Sequence, residues 1–104
     1  MRVLFIGDVF GRAGRKALDQ GLRPLITEHR IDFCIANAEN AAGGFGITPQ
    51  IADALLAADI DLLTSGNHIW DKKAILPYLA GQPRLLRPHN YPRAAPGTGI
   101  FIGD

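Results

Sequence analysis

The stretch Asp32-Phe33-Cys34-Ile35-Ala36-Asn37-Ala38-Glu39-Asn40 passes from an apolar run directly into two amides and a carboxylate. Such a run, bounded by polar residues, is expected to be a short buried strand, Asp32 to Ala38, that ends at the rim of a sheet. The same plan occurs twice more. Arg2 to Gly7 leads into Gly7-Asp8-Val9-Phe10-Gly11, and Asp61 to Ser65 leads into Gly66-Asn67-His68-Ile69-Trp70-Asp71. Strands alternating with helical stretches at about thirty-residue spacing mark βαβ units, hence α/β class and a largely parallel sheet. Ligands of open α/β sheets bind beyond the carboxyl ends of the strands. Asp8, Glu39, Asn40, Asn67 and His68 are therefore expected to share one site.

Between these strands the helices are legible to different degrees. A helix beginning near Arg12 would bury Leu18, Leu22, Leu25 and Ile26 on one face. Gly21 and Pro24 interrupt it, which predicts a kink or two short helices. The next helix has Thr48 as its cap, Pro49 at the first helical position, and Ile51, Ala54, Leu55 and Ala58 as its buried stripe. A third helix is expected from about Asp71 to Leu79, with Pro77 limiting its regularity. Beyond Ala80, prolines, arginines and glycines predict an irregular segment, and Gly99 to Ile102 reads as one more strand.

Composition narrows the classes. The chain has 104 residues, 47% hydrophobic and 20% charged, which is ordinary for a globular protein of at most one domain. A net charge of +1 lacks the basic excess of a nucleic-acid-binding surface. Arg84, Arg87 and Arg93 are expected on a solvated face, because arginine is seldom buried. The single cysteine, Cys34, excludes an internal disulfide and reads as a small core residue in a reducing compartment. No run approaches the about 18 apolar residues of a membrane helix, and no signal-peptide pattern follows Met1-Arg2. A cytoplasmic protein without membrane attachment is the default expectation, and a homo-oligomer is compatible with it.

Carboxylate, amide-carbonyl and imidazole donors suit Mn²⁺, Fe²⁺, Mg²⁺ or Zn²⁺ rather than copper or an iron-sulfur cluster. Two such ions about 3.5 to 4 Å apart clamp the oxygens of a phosphoryl transfer, and a carboxylate must bridge them. Glu39 is the natural bridge, with Asp8 on one ion and Asn67 on the other. Each residue has a plainer reading. Asp8 alone could be a helix cap or turn former, and Glu39-Asn40 a polar turn. Three such clusters, each directly after an apolar run, favour a functional site. His29 and His89 lack that setting, and Trp70 reads as a packing residue. The spacing of Gly7, Gly11 and Gly14 fits neither the dinucleotide nor the P-loop pattern.

With Leu86-Arg87-Pro88-His89-Asn90-Tyr91-Pro92 added, these motifs resemble, in order, the N-terminal half of the YmdB-like branch of the calcineurin-like metallophosphoesterases. The resemblance implies a four-layered α/β/β/α sandwich, of which residues 1–104 would be the N-terminal βαβαβα part without the C-terminal half. It also implies a dinuclear metal centre, with Fe or Mn preferred and Mg or Zn allowed. The implied activity is that of a phosphodiesterase acting on cyclic nucleotides such as 2′,3′-cAMP. Asp8 and Asn40 would then hold one ion, Glu39 would bridge, Asn67 would hold the second, and His68 would stand beside the scissile phosphate as the catalytic group.

The wider superfamily carries Asp-x-His at its first motif, where this chain has Phe10, and Asn40 would take the place of that histidine. The family completes its site with a lone histidine and a His-x-His pair that do not follow position 89 here. A fragment limited to these residues is expected to have low competence. The alternatives are a non-catalytic phosphate- or nucleotide-binding α/β domain and a purely structural module.

Overall fold

The computed structural model describes residues 1–103. Three parallel strands, β1 (Val3–Ile6), β2 (Phe33–Asn37) and β3 (Leu62–Thr64), form a sheet in the order β1-β2-β3. Val3 lies opposite Phe33, and Ile6 opposite Ala36. On the other side of β2, Ile35 lies opposite Leu62 and Asn37 opposite Thr64. The expected α/β class and parallel arrangement are therefore present. All three motif loops leave the same carboxyl edge.

Helices α1 (Gly11–His29), α2 (Pro49–Ala57) and α3 (Ile75–Gly81) connect or follow the strands, and a single 3-10 turn spans Asn67–Trp70. Each helix contributes to one buried cluster: Leu22 from α1, Ala52 and Leu55 from α2, Ile75 and Leu79 from α3. These side chains meet Cys34, Ala36 and Leu63 of the sheet. Burial pushes the Cys34 thiol pKa up, as suits an inert core cysteine.

Side chains alternate between the faces of a strand, so Val3, Phe5, Phe33, Ile35 and Leu62 occupy the face opposite Cys34 and Ala36. Val3 and Phe5 are exposed there, and Phe101 stacks on Phe33 with ring centroids 6.2 Å apart. Parallel sheets bury both faces as a rule; within these residues the helices cover one. Among the described residues no helix is long and apolar enough to cross a membrane.

Several local expectations are corrected. Helix α1 is one continuous helix of 19 residues that includes Pro24. Proline frees the carbonyl four residues earlier, but Gln20 and Pro24 are both exposed, so water can satisfy that group. Its inward stripe is Leu18, Leu22 and Ile26, whereas Leu25 is exposed. The helix closes with Arg30 in the left-handed region and Ile31 N–H donating to Ile26 O at 3.0 Å, which satisfies an end carbonyl.

Thr48 does cap α2, its hydroxyl accepting from Ile51 N–H at 3.2 Å, with Pro49 in the first turn. The stripe is shifted, however. Ala52 and Leu55 are buried, while Ala54 is exposed and lines a groove with Leu18, Ile51 and Ala58. Periodicity identified an apolar face, but the position of the sheet decided which edge of it was buried.

The third helix starts at Ile75, after the separate 3-10 turn, which places Pro77 in its first turn where no intrahelical N–H bond is required. Gly99 to Ile102 is not a strand. Instead, single parallel bridges join Leu63 to Leu85 and Leu86 to Thr98. They extend the β3 edge, with Leu63 N–H donating to Arg84 O and Leu86 N–H to Leu63 O. Glycine and proline around this segment limit each pairing to one residue. Arg87, expected on the surface, is only 7% exposed.

Candidate functional site

The parallel ladder continues past the strand ends and fixes the relative heights of the loops. Val9 N–H donates to Asn37 O and Ala38 N–H to Thr64 O, each at 2.9 Å. Asn40 O then accepts from Gly11 N–H at 3.0 Å and from Gly44 N–H at 3.1 Å. One carbonyl thereby ties the start of α1 to the turn over residues 40–44 that follows β2. Gly44 has φ +92°, and a side chain there would collide with the Phe10 ring 2.6 Å away, so glycine is required.

This frame brings the expected residues together in two adjoining groups. In the first, the Asn40 amide donates to Asp8 Oδ1 at 2.9 Å across a separation of 32 residues. In the second, Glu39 lies against the turn after β3. Its Oε2 accepts from the backbone N–H of His68 at 3.0 Å, and its Oε1 from the Asn37 amide at 3.3 Å. Each carboxylate oxygen thus has one bond that orients it and a further lone pair free to accept. The Asn67 side chain is exposed and makes no hydrogen bond among the described residues.

His68 adds a second carboxylate contact. Its Nδ1 lies 2.7 Å from Asp71 Oδ2. With Nδ1–H donating to Asp71, Nε2 is the ring atom left for a ligand. The Asp71 hydrogen bond, aided by the negative charges of Glu39 and Asp8, holds the His68 pKa above its ordinary value, against a smaller opposing effect of burial. Glu39 and Asp8 therefore both lie within electrostatic reach of this ring.

Three contributors lie inside the quoted motifs but received no role of their own from the sequence. Asn37 orients Glu39 from the last position of β2. Its signal was alternation, since residues 37 and 39 project to the same side of an extended chain. Asp71 could have been found from its i+3 spacing to His68. Gly66 had no signal beyond being glycine, because its importance lies in what approaches it. A Cβ at Gly66 would sit 2.7 Å from Glu39 Oε2 and overlap Oε1. Gly66→Ala is accordingly expected to displace the Glu39 carboxylate. A crystal structure of that variant should show both Glu39 hydrogen bonds broken, and an unmoved carboxylate would contradict the close approach.

Among the described residues no three His, Cys, Asp or Glu side chains are gathered closely enough to hold a metal ion. The donor chemistry nevertheless fits one side of a centre for hard cations: Asp8 with Asn40, and Glu39 with Asn67. The Asn40 amide now donates to Asp8, and a turn about its terminal bond would offer oxygen instead. His29 and His89 are exposed and outside both groups, and Trp70 packs edge-on against Tyr91 with centroids 5.2 Å apart.

Comparison with known proteins agrees with the fold. A 2′,3′-cyclic-nucleotide 2′-phosphodiesterase of Bacillus subtilis (strain 168) is 45% identical over 100 residues, covering 96% of this chain and 38% of its own length. A crystal structure of a hypothetical protein from Thermus thermophilus has a TM-score of 0.86 at 42% identity, covering 99% of this chain and 41% of its own. A crystal structure of a Mycoplasma pneumoniae phosphatase has a TM-score of 0.88 at 31% identity, covering 98% and 38%. The chain therefore spans about two fifths of the length of these relatives. The YmdB-like protein family matches residues 4–104, nearly the whole chain, and the chain belongs to that family.

Proposed function

We propose that the protein carrying this chain is a metal-dependent phosphodiesterase acting on cyclic nucleotides of the 2′,3′-cAMP type. The observation that carries this reading is the Glu39 carboxylate, oriented by Asn37 and by the His68 backbone beside the Asp8–Asn40 pair at one sheet edge. The name of the Bacillus subtilis relative supports the substrate class.

Asp8 and Asn40 would hold one ion, Asn67 a second, and Glu39 would bridge them, with Fe or Mn preferred and Mg or Zn allowed. When bound, such ions supply Lewis acidity and a water of lowered pKa. The chain's own residues do the rest. Asn37 and the His68 N–H keep both Glu39 oxygens directed at the site. Asp71 holds Nδ1 of His68, so that Nε2 can give its proton to the departing oxygen of the ester, the part of a general acid. Residues 1–104 would be the N-terminal part of one metallophosphoesterase domain and would supply only one side of the centre.

The test uses the protein at the full length of its relatives. It is expected to hydrolyse 2′,3′-cAMP, to lose that activity on chelation and to regain it with Mn²⁺ or Fe²⁺. Full activity in metal-free protein would refute the metal requirement. Tight binding of the cyclic nucleotide without turnover under any metal would turn the reading to a non-catalytic nucleotide-binding domain.

A further inference from the structure

We infer that residues 86–92 form a brace that fixes the position of His68, with Arg87 and Tyr91 as its positioning residues. The inference rests on the role proposed for His68. Nothing in the metal-ligand set or in the proton transfer uses this segment, yet two struts connect it to the turn that carries Asn67 and His68.

The first strut comes just before the turn. Ser65 Oγ donates to Leu86 O at 2.6 Å, one residue before Gly66, the glycine that accommodates Glu39. The second comes at its end. Trp70, the last residue of the 3-10 turn, meets the Tyr91 ring edge-on. Trp70 Nε1 is buried without a hydrogen-bond partner among the described residues. The indole is therefore held by packing, and Tyr91 provides an aromatic surface for it.

Arg87 closes the brace. Its backbone N–H donates to Thr98 O at 3.0 Å, which fixes the start of the segment. Its guanidinium donates from Nη1 to Pro88 O at 2.9 Å and from Nη2 to Pro92 O at 3.5 Å, while Nε has no partner. Among the described residues it forms no ion pair with a carboxylate. A buried cation without a counter-ion is costly. An aliphatic side chain could fill the same volume, but it could not reach two carbonyls and draw residues 88–92 into a closed loop. That loop holds Tyr91 against Trp70. The planar fork of arginine does this, whereas the point charge of lysine would not.

Displacement of a catalytic group by about 1 Å can cost about 10²-fold in rate. Tyr91→Ala is expected to lower kcat for 2′,3′-cAMP by about that factor with KM little changed. Tyr91→Phe, which keeps the ring, should restore it. In histidine-labelled protein, NMR should show the His68 Nδ1–H signal losing the downfield position conferred by Asp71 in Tyr91→Ala but not in Tyr91→Phe. Arg87→Lys should reproduce the Tyr91→Ala pattern, and it decides the matter if Tyr91→Ala fails to fold.

A folded Tyr91→Ala protein with native kcat and a native His68 signal would overturn the brace. A rise in KM alone would also overturn it, in favour of direct substrate contact. If the unsubstituted protein hydrolyses no phosphodiester, the proposed function fails instead, and the NMR comparison still judges the brace by itself.

Discussion

Replacing Glu39 by alanine, in the protein at the full length of its relatives, is expected to abolish phosphodiester hydrolysis and to lower the bound metal. Among the described residues Glu39 is the one carboxylate directed at the site by two hydrogen bonds, from Asn37 and from the His68 backbone. Its removal withdraws the proposed bridge and leaves the His68 N–H without its acceptor. Charge stabilisation of this kind is worth several kcal/mol, and a loss of about 4 kcal/mol corresponds to about 10³-fold in rate. Asp8→Ala and Asn67→Ala should each lower occupancy at one ion only. Elemental analysis together with hydrolysis of bis-p-nitrophenyl phosphate checks this. A fully metallated and active Glu39→Ala protein would show that Glu39 is not the bridge.

His68→Ala should lose about 10²- to 10⁴-fold in rate, the usual contribution of general acid catalysis, while both metals stay bound. The loss should be larger for substrates with poor alkoxide leaving groups than for p-nitrophenyl esters, which depart without a proton. Equal losses would assign His68 to stabilising charge on the phosphoryl oxygens, and metal loss would make it a ligand. The Asp71 hydrogen bond raises the His68 pKa above 6.5, so the protonated acid persists to higher pH than in free histidine. Activity that needs this proton is lost as pH rises through the raised value. Asp71→Asn should therefore move that loss to lower pH, as a kcat–pH profile would show. An unmoved profile would mean that the limb belongs to another group.

The sequence by itself determined the class of the fold and which motif residues gather at the carboxyl edge of the sheet. Apolar runs of strand length ending in Asp8, Glu39-Asn40 and Asn67-His68, separated by helical stretches, admit few solutions other than a parallel sheet with those residues at its carboxyl edge. The Thr48-Pro49 cap was legible for the same reason: its cause is local, within one turn of chain. Tertiary structure decided what depends on distant neighbours. Pro24 lies inside an unbroken helix because its face of α1 is solvated. Ala52, not Ala54, is buried because the sheet lies on that side. Gly99 to Ile102 has strand composition, but among the described residues no strand pairs with it in a full ladder.

The same division holds at the site. That Glu39 is oriented by Asn37 and His68, that Gly66 must lack a side chain, and that Arg87 is buried against the carbonyls of its own loop all depend on atoms brought together across turns and between strands. Periodicity records which face of an element is apolar. It carries no information on the few ångströms of approach that decide whether a carboxylate is aimed or an arginine enclosed, because those distances are set by packing between elements.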